Sequence, residues 1–108
     1  MITDIIRQQI ASNPVLIYMK GSPDQPMCGF SANAVAALKS TNLPFGHVDV
    51  MQSMSIMQAL PEVSDWPTFP QIFIDGELVG GGDIVIELNN SGELKPMMEA
   101  AINKTVVA

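Results

Sequence analysis

Residues 15–19 read VLIYM, an unbroken apolar run of strand length, and it constrains the fold more than any other stretch. A strand with one wet face alternates apolar and polar residues. One that is apolar at every position is buried on both faces, so its sheet needs helices above and below it. The neighbouring segments supply them. In ITDIIRQQIAS, Ile2, Ile5, Ile6 and Ile10 fall near helical spacing, Thr3 is a candidate cap, and Asn13-Pro14 breaks the pattern. After the turn-rich GSPDQP, the alanine-rich SANAVAALKS at 31–40 predicts a second helix, with Val35 and Leu38 on its apolar side.

FGHVDVM at 45–51 returns to strand character through Phe45, Val48 and Val50, and the short link TNLP makes the unit β-α-β. Its two strands should be parallel with a right-handed crossover. SMSIMQALP predicts a short helix ending by Pro61, and EVSDWPTFP a loop punctuated by Pro67 and Pro70. QIFIDGELVG carries the strongest hairpin signal, two strand-like runs around Asp75-Gly76 in a type I′ turn. The remainder predicts two helices separated near Ser91 and Gly92. The order αβαβαββαα gives an α/β class with a mixed four-stranded sheet flanked by helices, expected as one domain over residues 1–108.

Composition narrows the function classes. With 108 residues, 47% hydrophobic and 15% charged, the chain suits one globular domain. A formal charge of −6 disfavours nucleic acid and anionic membranes as partners. No apolar run reaches the ~20 residues of a membrane span, and MITDIIRQQI is too short and too polar for a secretory signal. The single cysteine, Cys28, excludes an internal disulfide and agrees with a reducing compartment, so a soluble cytoplasmic protein is expected.

Cys28 lies in PMCGFS, between the strand-like run and the second helix, where C-x-x-C would mark a dithiol centre. The second position holds Ser31, so any redox or metal chemistry needs a sulfur from outside. A cysteine at a loop-to-helix junction faces unpaired N–H groups and the positive end of the helix dipole, which lower a thiol pKa and make it a reactive thiol or metal ligand. The alternative is a buried core cysteine. Lys20, directly after the central strand, is either a solvated lysine or a cation for a thiolate or carboxylate. In WPTFPQ, Pro70 ends a plain turn or forms a cis bond before a strand, with the Phe69 backbone available to a peptide-like ligand. In GGGD, Gly82 and Asp83 open a helix whose N–H groups and carboxylate suit the two charges of an α-amino acid, or form only a flexible turn. His47 is expected to be a strand histidine, Met51, Met54 and Met57 core filler or helix surface, and Trp66 a packing anchor.

The combination of MKGSPDQPMCGFSANAV, WPTFPQIFIDGELVGGGDIV and the helix order resembles the monothiol glutaredoxins of the CGFS type, over nearly the whole chain. The resemblance implies a thioredoxin fold and glutathione bound beside the active cysteine. It also implies a [2Fe-2S] cluster shared by two subunits, each contributing one cysteine and one glutathione thiolate. On this likeness Cys28 is the cluster ligand and redox thiol, and Lys20 contacts glutathione. Phe69 pairs through its backbone with the cysteinyl unit beside the cis-proline Pro70, while Gly82 and Asp83 hold the γ-glutamyl end. Where such proteins often carry an arginine for the glycyl carboxylate, this chain has Met57. The implied function is iron-sulfur cluster transfer and assembly, by a cluster-loaded homodimer that is monomeric when apo, with apo iron-sulfur acceptors and a BolA-type protein as partners. The alternative is a glutathione-dependent thiol-disulfide oxidoreductase. Phe30, beside the thiol, either shields the cluster from water or packs helix to sheet.

Overall fold

The computed structural model describes the backbone of residues 1–107 and the side chains of residues 1–104. Its elements are α1 (Ile2–Ser12), β1 (Val15–Met19), α2 (Gly29–Ser40), β2 (Gly46–Asp49), a 3-10 turn (Val50–Gln52), α3 (Met54–Ser64), β3 (Gln71–Ile74), β4 (Glu77–Gly80), α4 (Gly82–Asn90) and α5 (Leu94–Val107). Strand order is β2-β1-β3-β4, with β1 and β2 parallel and the other pairs antiparallel. β1 is central and every residue in it is buried.

Side chains alternate across β1 into two separate cores. Val15, Ile17 and Met19 pack with Ala34, Val35 and Leu38 of α2, Val85 of α4 and Leu94 and Met98 of α5. Leu16 and Tyr18 pack on the opposite face with Ile6 of α1 and Ile56 and Leu60 of α3. The Tyr18 ring meets Phe73 edge-on at 5.7 Å, and its hydroxyl donates to Gln9 Oε1 at 2.8 Å, which satisfies a phenol sealed under α1. Burial pushes the Tyr18 pKa up.

The hairpin turn has Asp75 at φ 54° and Gly76 at φ 80°, the double left-handed geometry of a type I′ turn. Three boundaries differ from the sequence reading. Thr3 lies inside α1, whose cap position is Met1. α2 begins at Gly29, so Cys28 itself occupies the cap position. α3 runs through Pro61 to Ser64: the proline gives up its own N–H bond, but its carbonyl still accepts from Trp66 N–H at 3.2 Å and carries the helix to its end. Asp65, at φ 54°, then ends the helix.

Candidate functional site

The loop that delivers Cys28 is folded by its own backbone. Ser22 and Gln25 exchange N–H to carbonyl bonds of 3.2 and 3.1 Å, and Met27 N–H donates to Lys20 C=O at 2.9 Å. Gly21 permits this closure. It sits at φ 90°, and a Cβ there would lie 2.4 Å from Gln25 O, so no other residue fits without moving backbone. Lys39 Nζ donates to Pro23 O at 3.1 Å and ties the loop to the far end of α2.

Cys28 is half-buried at the cap of α2, in extended conformation. Its sulfur makes no capping hydrogen bond of ordinary geometry, yet it lies where the helix start lowers its pKa. The Ser31 N–H is the largest cause, followed by the Phe30 N–H; partial burial opposes them, and the Lys20 charge and Ser31 hydroxyl add smaller contributions. Partly exposed and absent from both buried cores, Cys28 is not a core cysteine. Ser31, in the second position of the motif, is fully buried, and its Oγ accepts the Lys20 N–H at 3.2 Å. The buried Ser31 hydroxyl thus ties the end of β1 to the first turn of α2, where Cys28 sits.

Next to α2 lies a cleft of about 440 Å³ between the starts of α2 and α4 and the loop before β3. The Phe69-Pro70 bond is cis, the second of the two readings open for WPTFPQ and the one the resemblance implies. Phe69, Pro70, Gly82 and Asp83 all line this cleft, with Phe30 opposite. Phe30 is 70% exposed, which excludes helix-to-sheet packing as its role. A Cβ on Gly82 would come within 3.3 Å of Phe30 O, so glycine lets the two helix starts approach. No side chain caps α4, and Asp83 is exposed in its first turn. Unpaired N–H groups beside a carboxylate can receive a zwitterion, while the aromatic and proline walls hold its apolar part. Lys20 and Cys28 stand outside the cleft lining, joined to it through Ser31 and Phe30.

Asn33, Thr68 and Ile84 also line the cleft and were not singled out from sequence. Asn33 had a usable signal, since it lies three positions from Phe30 on one helix face. Ile84, apolar yet 38% exposed in the first turn of α4, gave no signal of its own in the sequence. Trp66 lines the cleft too, and its buried indole N–H has no hydrogen-bond partner among the described residues. Met57 is half-buried against the α1–α3 core and is not part of the cleft lining. His47 is exposed on β2, and Met51 and Met54 are exposed near the start of α3.

Comparison with known proteins agrees with this geometry. The glutaredoxin family model matches residues 15–79. Glutaredoxin 4 of Pasteurella multocida (strain Pm70) is 55% identical over 95 residues, 88% of this chain and 87% of that one. Glutaredoxin 4 of Escherichia coli (strain K12) is 52% identical over 99 residues, 92% and 86% of the two chains. Among solved structures, reduced apo GrxS14 of poplar is similar at a TM-score of 0.80 and 44% identity, covering 94% of this chain and 93% of its own. A lone thiol at the start of the helix after the central strand, a cis-proline loop beside it and relatives of this similarity lead to one conclusion: the chain belongs to the glutaredoxin family, with a thioredoxin fold and a single cysteine.

Proposed function

We propose that this protein binds glutathione in the cleft and carries a [2Fe-2S] cluster between two copies of itself, serving iron-sulfur cluster transfer and assembly. The observation that carries this reading is the pairing of the lone, half-buried Cys28 thiol with a buried serine hydroxyl where a second cysteine would stand. Each chain has one thiolate to give. Among the described residues no group of three or more His, Cys, Asp or Glu is placed to hold a metal, so a cluster on Cys28 draws its other ligands from outside the chain. Iron in such a cluster takes four thiolates; two chains give two, and two glutathione thiolates complete the set.

The residues present suit glutathione. Phe69 and Pro70 form the wall for its cysteinyl unit, the open start of α4 with Gly82 and Asp83 takes the γ-glutamyl charges, and Lys20 supplies a cation for an anionic end. The loaded form is then a homodimer and the apo form a monomer, in a reducing cytoplasm, with apo iron-sulfur proteins as acceptors and a BolA-type protein as a further partner. Anaerobic reconstitution with iron, sulfide and glutathione tests this. A brown dimer with visible absorption that needs glutathione is expected, and a colourless monomer overturns the reading.

The lowered pKa of Cys28 favours a second reading, a glutathione-dependent oxidoreductase. The Cys28 thiolate attacks the glutathione sulfur of a mixed disulfide and expels the protein thiolate. A second glutathione thiolate then attacks the Cys28-glutathione disulfide, releasing oxidised glutathione and restoring Cys28. Turnover on a glutathionylated peptide is expected to be slow. A rate matching that of a dithiol glutaredoxin would make this the primary activity.

A further inference from the structure

Asp49 ends β2, 28 positions along the chain from Gly21, and nothing in its sequence surroundings connects it with the cysteine loop. Its Oδ1 nevertheless accepts two N–H groups, from Met51 at 2.9 Å and from Gly21 at 2.9 Å. The first bond caps the 3-10 turn Val50–Gln52, an ordinary use of an aspartate. The second has no such local purpose. It holds the N–H of the Lys20–Gly21 peptide plane, while Met27 N–H holds the C=O of that same plane at 2.9 Å. The plane before Lys20 is held as well, by the Lys20 N–H bond to Ser31 Oγ at 3.2 Å. Both peptide planes flanking Lys20 are therefore pinned, and with them the direction in which its side chain leaves the backbone. Gly21 has no Cβ to restrain the turn and sits at φ 90°, so without the carboxylate only the Met27 bond would hold that plane.

From this geometry we infer that Asp49 is a positioning residue for ligand binding, aiming Lys20 at the anionic end of glutathione by latching the Lys20–Gly21 peptide. The inference rests on the glutathione reading above. The latch acts through its acceptor oxygen, whereas the charge of the carboxylate works against an anionic ligand. The two contributions separate in two variants. Asp49→Asn keeps the acceptor and removes the charge; Asp49→Ala removes both.

Glutathione binding to the apo protein, measured by calorimetry on wild type and both variants, tests the assignment. Asp49→Ala is expected to bind about fivefold more weakly, a fraction of the value of a charge-assisted hydrogen bond because the stem of Lys20 stays mobile. Asp49→Asn is expected to recover most of the affinity. In a Lys20→Met background Asp49→Ala should cost little more, since a residue that acts through Lys20 has nothing left to position. Hydrogen exchange at the Gly21 amide reads the latch without ligand and should accelerate in Asp49→Ala while the strand β1 amides stay protected. A folded Asp49→Ala variant that binds as wild type does, or additive losses in the Lys20→Met background, overturns the inference and leaves the glutathione reading standing. Tighter binding by both variants overturns it too, because the charge would then dominate. Wild-type protein that fails to bind glutathione removes the reading itself, and this inference with it.

Discussion

At the 3-10 turn and at α3, neither of which lines the cleft, side chains close the first turn: Asp49 Oδ1 accepts Met51 N–H at 2.9 Å, and Ser53 Oγ accepts Ile56 N–H at 3.3 Å. At α2 and α4, whose starts face each other across the cleft, no side chain makes a capping bond. Cys28 and Gly81 occupy those cap positions. A side-chain cap contributes about 1 kcal/mol over a non-capping residue but only a few tenths over glycine, so the open starts at Cys28 and Gly81 together forgo on the order of 1 kcal/mol of local stability. In return their N–H groups stay available to a thiolate at one helix and to a ligand at the other. The start of α1 also lacks a side-chain cap, so an open start is not by itself a mark of the cleft; what sets α2 and α4 apart is that their open N–H groups lie beside it.

The largest test of this contrast is Cys28→Ser. A serine at the cap restores an oxygen acceptor and closes the start of α2, so the fold should be retained and slightly stabilised by urea unfolding, while anaerobic cluster loading falls to zero. Residual brown colour in that variant would mean that the open cap is not the ligand position.

Ser31→Ala comes next. It leaves the part-buried Lys20 N–H without its partner and should cost about 1 kcal/mol of stability. It should also move the pH dependence of Cys28 alkylation upward by a small amount, because the Ser31 and Phe30 N–H groups remain. The sign of the linkage is fixed by the direction of the Cys28 shift. A thiol pKa lowered by folding stabilises the protein above the unfolded thiol's pKa, and that contribution disappears as pH falls through the folded value. Ser31→Ala narrows this window from below.

A pair of cap variants compares the two regions directly. Ser53→Ala should lose about 1 kcal/mol and leave glutathione binding unchanged. Gly81→Ser places an acceptor on the open start of α4, where a Cβ meets Pro70 O at 3.5 Å and Trp66 Nε1 at 3.6 Å, both ordinary contacts. It should gain a few tenths of a kcal/mol while weakening glutathione binding. Equal effects of the two variants on binding would break the comparison.

The smallest expected effect is Met57→Arg. An exposed guanidinium pair contributes under about 1 kcal/mol. The variant should bind glutathione slightly more tightly and lose its cluster more slowly at limiting glutathione. Identical decay rates would show that position 57, packed on the α1–α3 core, does not reach the ligand.

Local chemistry carried a large part of this molecule in legible form. The VLIYM run required two covering layers, and β1 indeed feeds alternate side chains into two cores. Asp75-Gly76 specified its turn because only residues tolerant of positive φ fit there. The PMCGFS and WPTFPQ segments marked the thiol and the cis-proline loop because their chemistry is written in consecutive residues. Helix ends were less legible. Pro61 argued for a stop, yet its carbonyl remained usable, and the left-handed Asp65 set the actual end.

What the sequence by itself determined is therefore everything decided within a few residues: strand and helix identity, the turn, the lone thiol and the absence of a second one. What only the tertiary structure decided are the relations between distant residues. It set the α2 and α4 starts against each other at one cleft, made Ser31 a buried acceptor for the Lys20 N–H, and exposed Phe30 as cleft wall. It also brought the Asp49 carboxylate to the Gly21 amide. The physical reason is that propensity and periodicity act over one or two turns of chain, whereas a hydrogen bond between residues 28 apart exists only once the sheet has fixed β2 beside β1.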